Sequence, residues 1–210
     1  MPVITVSRMY GSGGSVVAQR LASELGWNLV DNAFVDAIAH RLGVTPASVQ
    51  AIEERLPTLA ERIADAFAFG ASEVVAASLG GTMPPTDKRL VELTTRIIDE
   101  ALAHGPAVVV GRGAQSYLRD RPDALHVLCC APFEALVARV MEREGLDQAK
   151  AAALVQKTNK ERAEYVRRQW NREWLSPANY HLCVNTAWLG LDNAVALILR
   201  VARERLGVSA

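Results

Sequence analysis

The sequence predicts a three-layer α/β/α sandwich built around a five-stranded parallel sheet. Strand-like and helical segments alternate along the chain, which favours parallel strands joined by helices that cover both faces of the sheet. The run at 107–110 is continuously apolar and mostly β-branched, as is typical of a central strand buried on both faces. The 210 residues, 50% of them apolar, are enough for one core, so we expect a single domain over residues 1–210.

Five strands and their connecting helices can be placed from local signals. The first strand begins at Ile4 and runs into a glycine-rich turn; the apolar positions 17, 21, 22 and 25 then repeat with helical spacing up to the capping Gly26. The other strands are predicted at 27–30, 107–110, 125–130 and 181–185. Helices are predicted near 33–42, 46–55, 57–79, 88–104, 132–144 and 192–206, and the breaker run 80–87 is a candidate loop or hinge.

The glycine-rich segment after the first strand has the layout of a phosphate cradle. Glycines let successive backbone N–H groups converge on an anion, and the positive end of the following helix dipole adds to the same field. The residues predicted to bind nucleotide phosphates are Gly11, Ser12, Gly13, Gly14 and Ser15.

This segment departs from the P-loop pattern G-x-x-x-x-G-K-[ST] at two positions. When Ser15 is aligned with the final Ser/Thr, Gly14 stands where the lysine belongs and Arg8 where the first glycine belongs. A cradle that stabilises developing charge needs a cation, and Arg8 is the only basic residue in the segment 7–15. We expect Arg8 to supply the missing charge; a plain salt bridge to a neighbouring helix is the competing interpretation.

Three further segments are expected to share a crevice with this loop, because ligands of parallel sheets collect at the carboxyl ends of the strands. They are Asp31, the turn Gly111-Arg112-Gly113 and the segment after Ala131. The planar guanidinium of Arg112 suits phosphate oxygens, but a solvated arginine in a tight turn fits the same pattern. Asp31 either contacts the substrate, by orienting an attacking oxygen or holding a ribose hydroxyl, or caps the helix that follows.

Basic residues are concentrated at 157–174, where six lysines and arginines accompany three glutamates. In a phosphoryl-transfer enzyme this segment would be a lid that brings arginines such as Arg162 and Arg168 to the transferring group when the site closes. A solvated helix face with i,i+4 ion pairs is the alternative interpretation. We expect the interleaved aromatic residues to pack this segment onto the body or to form a dimer contact, in preference to stacking a base; they are Tyr165, Trp170, Trp174 and Tyr180.

Charge and cysteine content exclude several function classes. Lys and Arg total 23, as do Asp and Glu, so no overall field favours a nucleic acid or a membrane surface as a partner. The three cysteines are odd in number and lie in apolar runs, which indicates buried thiols of a reducing compartment and neither disulfides nor a metal site. No leader or membrane-spanning pattern is present, so we expect a cytoplasmic protein.

Five motifs taken together carry a family resemblance. They are Ser-Arg-x-Tyr-Gly-Ser-Gly-Gly at 7–14, Val-Gly-Arg-Gly-Ala at 110–114, and the segments 141–145, 159–165 and 179–186. This combination resembles the cytidylate kinase-like family, relatives of bacterial cytidylate kinase, over essentially the whole chain. The resemblance implies a P-loop nucleoside-monophosphate (NMP) kinase fold with strand order 2-3-1-4-5, helical NMP-binding and lid regions, and ATP and Mg²⁺ as ligands. Cytidylate kinases carry a P-loop lysine and a Gly-Arg-Asp turn, where this chain has Gly14 and Gly113.

The function we expect is transfer of the γ-phosphoryl group of ATP to a nucleoside monophosphate or a similar small acceptor. In this hypothesis the glycine loop binds phosphates, Ser15 offers its hydroxyl to Mg²⁺, and four arginines supply positive charge: Arg8, Arg112, Arg162 and Arg168. One alternative is a catalytically weak nucleotide-binding or sensing protein, since a key cation is missing. Another is a dinucleotide-binding oxidoreductase, because Gly11-x-Gly13 followed by Asp31 mimics the fingerprint of that class. The sheet of such an enzyme would place strand 2 beside strand 1. The sequence is also compatible with a homodimer.

Overall fold

The computed structural model describes residues 1–31, 34 and 87–208. The predicted helices near 33–42, 46–55 and 57–79, and the breaker run as far as residue 86, lie outside the described residues apart from Phe34. The described part contains a parallel sheet with helices on both of its faces.

The middle layer is a five-stranded parallel sheet. Its strands are β1 (Val3–Arg8), β2 (Asn28–Val30), β3 (Ala107–Val110), β4 (Ala124–Cys130) and β5 (Leu182–Asn185), in the spatial order β2-β3-β1-β4-β5. β1 is central: Val6 is in register with Val110 of β3 on one side and with Val127 of β4 on the other. This order confirms the one that the family resemblance implies. Because β3 separates β1 from β2, it rules out the dinucleotide-binding alternative.

The helices of the described residues are α1 (Gly14–Leu25), α2 (Asp87–His104), α3 (Ala114–Tyr117), α4 (Phe133–Glu144), α5 (Gln148–Trp170) and α6 (Thr186–Leu206), with a 3₁₀ turn at Pro177–Asn179. The helix predicted near 192–206 matches the part of α6 that follows a kink at Gly190, and α6 begins with an additional turn before that kink. The helix begins directly after β5, where the Asn185 carboxamide oxygen accepts the N–H groups of Ala187 and Trp188, both at 3.1 Å. Gly190, with a φ of 76°, interrupts α6 and breaks the apolar periodicity of this first turn.

The candidate lid 157–174 is not a helix of its own. It consists of the C-terminal part of α5 and the residues 171–174 that follow it. The helix starts earlier than the charge run because the carboxylate of Asp147 accepts the N–H of Lys150 at 2.9 Å and so caps the first turn.

Apolar residues cover both faces of the sheet. On one face α1 and α6 contribute Leu21 and Ile198 to a cluster that contains Val6 of the central strand. On the other face Ile97 of α2 packs with Val109 of β3. Full burial of each such side chain stabilises the folded state by on the order of 2 kcal/mol. This packing holds the helices against the sheet and so determines where the strand ends lie. The three-layer prediction is therefore confirmed.

A third apolar cluster lies beside the carboxyl end of β1. It joins α4 and α5 through Leu136 and Val155, both fully buried, and the partly buried Met9 and Tyr10 pack against it. Since Met9 and Tyr10 follow directly after β1, this cluster attaches α4 and α5 to the start of the glycine loop.

The three cysteines differ in exposure, which corrects the expectation of three buried thiols. Cys129 is buried and Cys130 is half-buried, but Cys183 is exposed, and all three are free thiols. β5 lies at the edge of the sheet; there Val184 faces the core, whereas Cys183 and Asn185 face solvent. Among the helices of the described residues, none is both long and apolar enough to cross a membrane.

Candidate phosphate-binding site

The glycine loop between β1 and α1 has a backbone that glycine adopts more readily than other residues. Gly11 and Gly13 have φ angles of 84° and 74°, in the left-handed region. A Cβ atom on Gly11 would lie 2.6 Å from the carbonyl oxygen of Leu136, and one on Gly13 would lie 2.7 Å from a methyl carbon of Leu191. Conformation and packing against α4 and α6 both exclude side chains from these two positions.

The loop ends at an open helix N-terminus. Gly13 caps α1 without a side chain, and the first turn of α1 contains no acidic residue. Ser15 in this turn is exposed. The first N–H groups of a helix have no partner within the helix, and the helix dipole favours an anion beside them. This geometry fits the predicted cradle.

Hydrogen bonds from three helices hold the loop. The carbonyl oxygen of Ser12 accepts from Thr186 Oγ1 at 2.6 Å and from Arg139 Nη1 at 3.1 Å. The N–H of Tyr10 donates to Asn159 Oδ1 on α5 at 2.8 Å. Sequence reasoning did not single out Thr186, Arg139 or Asn159 as site residues. The signal available for Asn159 and Thr186 was that each lies in one of the five motifs.

Three of the predicted arginines converge at the start of the loop. Arg162 on α5 donates from Nη1 to the carbonyl oxygen of Arg8 at 2.6 Å. Burial, followed by the positive charges of Arg162 and Arg112, lowers the pKa of Arg8 to about 9, and the nearby carboxylate of Asp31 acts in the opposite direction. The guanidinium groups are thus close enough to repel one another. An anion placed among them would relieve this repulsion and accept charge-assisted hydrogen bonds.

The Tyr10 ring forms part of the same site. The guanidinium carbons of Arg143 and Arg162 lie 4.8 and 5.7 Å from the centre of the ring, within the range of cation–π contacts. The Tyr10 hydroxyl donates to Glu144 Oε1 at 3.1 Å. Tyr10 therefore positions Arg162 beside the loop while it binds to the end of α4.

The turn after β3 holds Arg112 in an uncommon backbone conformation. Gly111, Arg112 and Gly113 have φ angles of 70°, 54° and 69°. The N–H of Gly111 donates to the carbonyl oxygen of Val6 at 3.1 Å, which ties the turn to β1. A left-handed non-glycine residue costs about 1–2 kcal/mol and persists where the surrounding structure enforces it, often at binding sites. This strain favours a binding role for Arg112 over that of a plain solvated turn residue.

The remaining predicted site residues lie as follows. Asp31 accepts the N–H of Phe34 at 2.9 Å, as a helix cap does, and it is also close enough to Arg8 to affect its pKa. Arg168 is exposed on α5, six residues after Arg162. The segment after Ala131 is α4, which reaches the loop through Leu136 and Arg139.

The described side chains offer few ligands for a metal ion. Among the described residues, no cluster of three or more His, Cys, Asp or Glu side chains could hold a metal. A Mg²⁺ ion here would take most of its ligands from phosphates and water, with a hydroxyl such as that of Ser15. Two of the aromatic residues pack the candidate lid onto the body: Trp174 and Tyr180 are buried, and the Tyr180 hydroxyl donates to the Trp174 carbonyl oxygen at 2.6 Å.

Known proteins are similar to this chain in sequence and in fold. The family model of the cytidylate kinase-like family matches residues 3–187. The cytidylate kinase of Aeropyrum pernix is 25% identical over 197 residues, which cover 93% of this chain and 95% of that protein. A crystal structure of an uncharacterized protein from Eubacterium ventriosum is similar with a TM-score of 0.71 and 21% identity over 98% of this chain and 100% of that one.

A gluconokinase from Sinorhizobium meliloti is also similar in fold, with a TM-score of 0.52 and 17% identity over 100% of this chain and 98% of that one. Together with the strand order β2-β3-β1-β4-β5, this likeness shows that the chain has the fold of the P-loop kinases. With its motifs, its strand order and a family match over most of its length, the chain belongs to the cytidylate kinase-like family.

Proposed function

We propose that this protein is an ATP-dependent phosphotransferase that moves the γ-phosphoryl group to a nucleoside monophosphate or a similar small acceptor. The observation that carries the proposal is the convergence of Arg8, Arg112 and Arg162 beside an open helix N-terminus. Membership of the cytidylate kinase-like family supports it.

The loop fits the phosphates of a nucleotide. Gly11 and Gly13 leave the backbone without Cβ atoms, and the buried Nε of Arg8 has no hydrogen-bond partner within the described part of the chain. Both features suit an anion. We assign the phosphates to residues 11–15 and the metal contact to the Ser15 hydroxyl. When bound, Mg²⁺ neutralises charge on the phosphate oxygens.

The protein's part in phosphoryl transfer is position and charge, with little covalent chemistry of its own. Arg112, fixed in its strained turn, presents a planar fork of donors to the phosphate of the acceptor or of the transferring group. Arg162 is anchored on the Arg8 carbonyl and brings the positive charge of α5 to the same place. Arg168 would approach only when the segment 157–174 closes over the site. Asp31 would hold a ribose hydroxyl or orient the attacking oxygen.

A catalytically weak nucleotide-binding or sensing protein is the second candidate, and one observation favours it. Gly14 stands at the position of the P-loop lysine, and a Cβ atom there would lie 2.5 Å from the Cβ of Arg8. The loop therefore has no room for the missing lysine. If Arg8 does not supply the charge instead, the site binds a nucleotide without transferring its phosphoryl group.

A coupled assay with ATP, Mg²⁺ and a panel of acceptors separates the two candidates. The panel contains CMP, UMP, AMP and GMP, their deoxy forms, and gluconate as an acceptor without a phosphate. We expect turnover with at least one monophosphate. ATP binding without turnover on any acceptor would support the sensing protein.

A loop variant tests whether the nucleotide binds where we propose. Gly13→Val puts a branched side chain into the loop, so ATP affinity should fall at least about tenfold, ~1.4 kcal/mol, in calorimetric titrations of protein whose folding is checked by thermal unfolding. Arg200→Ala, on the exposed surface of α6, is the control and should bind ATP as the parent protein does. Unchanged ATP affinity in folded Gly13→Val would remove the loop from the proposed site.

A further inference from the structure

The side chain of Arg8 crosses from the end of β1 to the end of β3. Its Nη1 occupies the space that a Cβ atom on Gly111 would need, and its Cζ would lie 2.9 Å from such an atom. The guanidinium group therefore lies between the glycine loop, which Arg8 begins, and the turn that presents Arg112. No sequence pattern specifies this direction, because Gly111 is far from Arg8 along the chain.

Arg8 also excludes a side chain at residue 14. A Cβ atom on Gly14 would lie 2.5 Å from the Cβ of Arg8 and 3.0 Å from the Cβ of Cys129. The Cβ of Arg8 is fixed to the backbone and cannot move aside as the tip of a long side chain does. A side chain of any kind at residue 8, arginine included, and a lysine at residue 14 are therefore mutually exclusive in this loop.

The Arg8 side chain has a donor without a partner and more positive than negative charge around it. Its Nε is buried and has no hydrogen-bond partner in the part of the chain that the structure describes. Arg162 and Arg112 add like charge, and Asp31 is the carboxylate whose effect opposes them. Arg8 thus has a buried donor without a partner among like charges, an arrangement that an anion would complete.

We propose that Arg8 binds the terminal phosphate of a nucleoside triphosphate in place of the P-loop lysine, and that Gly14 and Gly111 are glycines because Arg8 needs their space. This inference rests on the proposed function. During transfer the terminal phosphate must lie between the glycine loop, which would bind ATP, and the turn with Arg112, which would bind the acceptor. The Arg8 guanidinium lies between those two segments. The α- and β-phosphates then belong to the backbone of the loop.

Binding of ATP and ADP to one variant tests the assignment without any turnover. Calorimetric titrations with Mg²⁺ and no acceptor are made on the parent protein, Arg8→Ala and the exposed control Arg200→Ala. Arg8→Ala should lose at least about tenfold in ATP affinity and less than about threefold in ADP affinity, while the control keeps both. Equal losses for ATP and ADP, or no loss for either, would overturn the inference and leave the proposed function intact. A parent protein that binds neither nucleotide would overturn both.

An exchange of residues tests whether Arg8 stands in for the lysine. Arg8→Gly with Gly14→Lys recreates the P-loop pattern and removes the nearer of the two Cβ atoms that obstruct residue 14, leaving that of Cys129 at 3.0 Å. This double variant should bind ATP at least about threefold more tightly than Arg8→Gly alone. If the double variant binds ATP no more tightly than Arg8→Gly, the inference that Arg8 replaces the P-loop lysine is overturned.

A double-mutant cycle tests the packing, and it does not depend on nucleotide binding. Gly14→Ala should lower the midpoint of urea unfolding in the parent protein, and most of that loss should disappear in the Arg8→Gly background. The same loss in both backgrounds would show that Arg8 does not determine the glycine at residue 14, and would overturn that half of the proposal.

Discussion

The indole nitrogen of Trp170 lies against Gly113, in the volume that a side chain on residue 113 would occupy. The Trp170 ring also contacts Tyr117, with the ring centres 5.9 Å apart. Trp170 is the last residue of α5, and Gly113 closes the turn that presents Arg112. The contact therefore joins the candidate lid to that turn, and the end of α5 cannot move away unless the contact breaks or the turn follows.

Gly113→Ala should destabilise the fold through this contact. The new Cβ atom would overlap the indole and would also force alanine to a φ near 69°, so we expect a loss of about 2 kcal/mol or more in the free energy of unfolding. Gly145→Ala is the matched control, since Gly145 has a φ of 65° with nothing within 4 Å of a Cβ atom. Urea unfolding measures both variants. Equal losses would show that backbone conformation alone accounts for the effect.

Arg112→Lys should impair function more than stability. Lysine keeps the charge and pays the same backbone cost for a left-handed φ, but it lacks the planar fork that binds two phosphate oxygens at once. We expect kcat/KM, or monophosphate affinity if turnover is slow, to fall at least about tenfold, ~1.4 kcal/mol. Steady-state kinetics and urea unfolding are the measurements. If lysine supports the same kinetics as arginine, Arg112 is a turn residue only.

The candidate lid should become more protected when both substrate sites are filled. On its outer side, exposed Lys157 and Lys160 pair with glutamates one turn later, as a solvated face would. On its inner side, Asn159 and Arg162 contact the glycine loop. Because the basic excess at 157–174 repels itself until anions enter, amide hydrogen exchange there should slow when a bisubstrate nucleotide binds.

The residues 192–206 of α6 serve as the reference for that exchange experiment and should change little. Exchange that is equal with and without the bisubstrate nucleotide would make the segment a plain surface helix.

His126 should make the fold less stable in mild acid. Burial and the stacked His181 ring lower the pKa of His126 to about 4, and its Nδ1 is hydrogen-bonded to Thr5 Oγ1 at 2.8 Å. The unfolded chain, with an ordinary histidine, binds the proton first. The stabilisation is therefore complete above about pH 6.5 and is lost as the pH falls towards 4, by about 1 kcal/mol at pH 5.5.

The measurement is urea unfolding at pH 7.5 and pH 5.5 for the parent protein and for His126→Gln, with exposed His104→Gln as the control. The parent protein and the control should lose more stability on acidification than His126→Gln does. The same pH dependence in all three would remove His126 as its source.

Strands were predictable because their signals are local. The β-branched run at 107–110 gives β3 with its observed ends, and the strands at 125–130 and 181–185 each begin within one residue of β4 and β5. Helix ends were less predictable where a side chain or a glycine decides them. Asn185 starts α6, and Gly190 then interrupts its periodicity.

The sequence predicts a position for the candidate site but not its internal contacts. The rule that ligands collect at the carboxyl ends of parallel strands grouped the glycine loop with Asp31 and Arg112. The Arg8 side chain does lie against Gly111, next to Arg112. Which atom each side chain contacts depends on residues distant in sequence. Asn159 accepts a hydrogen bond from Tyr10, and Gly111 makes room for Arg8. No residue spacing in the sequence indicates either contact. The exposure of Cys183 likewise follows from β5 being an edge strand.

The central position of β1 also affects how the chain folds during synthesis. Both of its partners, β3 and β4, are translated about a hundred residues later than β1 itself. At about 5–20 residues per second, a nascent β1 waits on the order of 5–20 s for its first partner to leave the ribosome. During that time its apolar residues and the glycine loop have no sheet to join. Transient binding by a chaperone would suit this interval, and the candidate phosphate-binding site can form only after the neighbouring strands have been made.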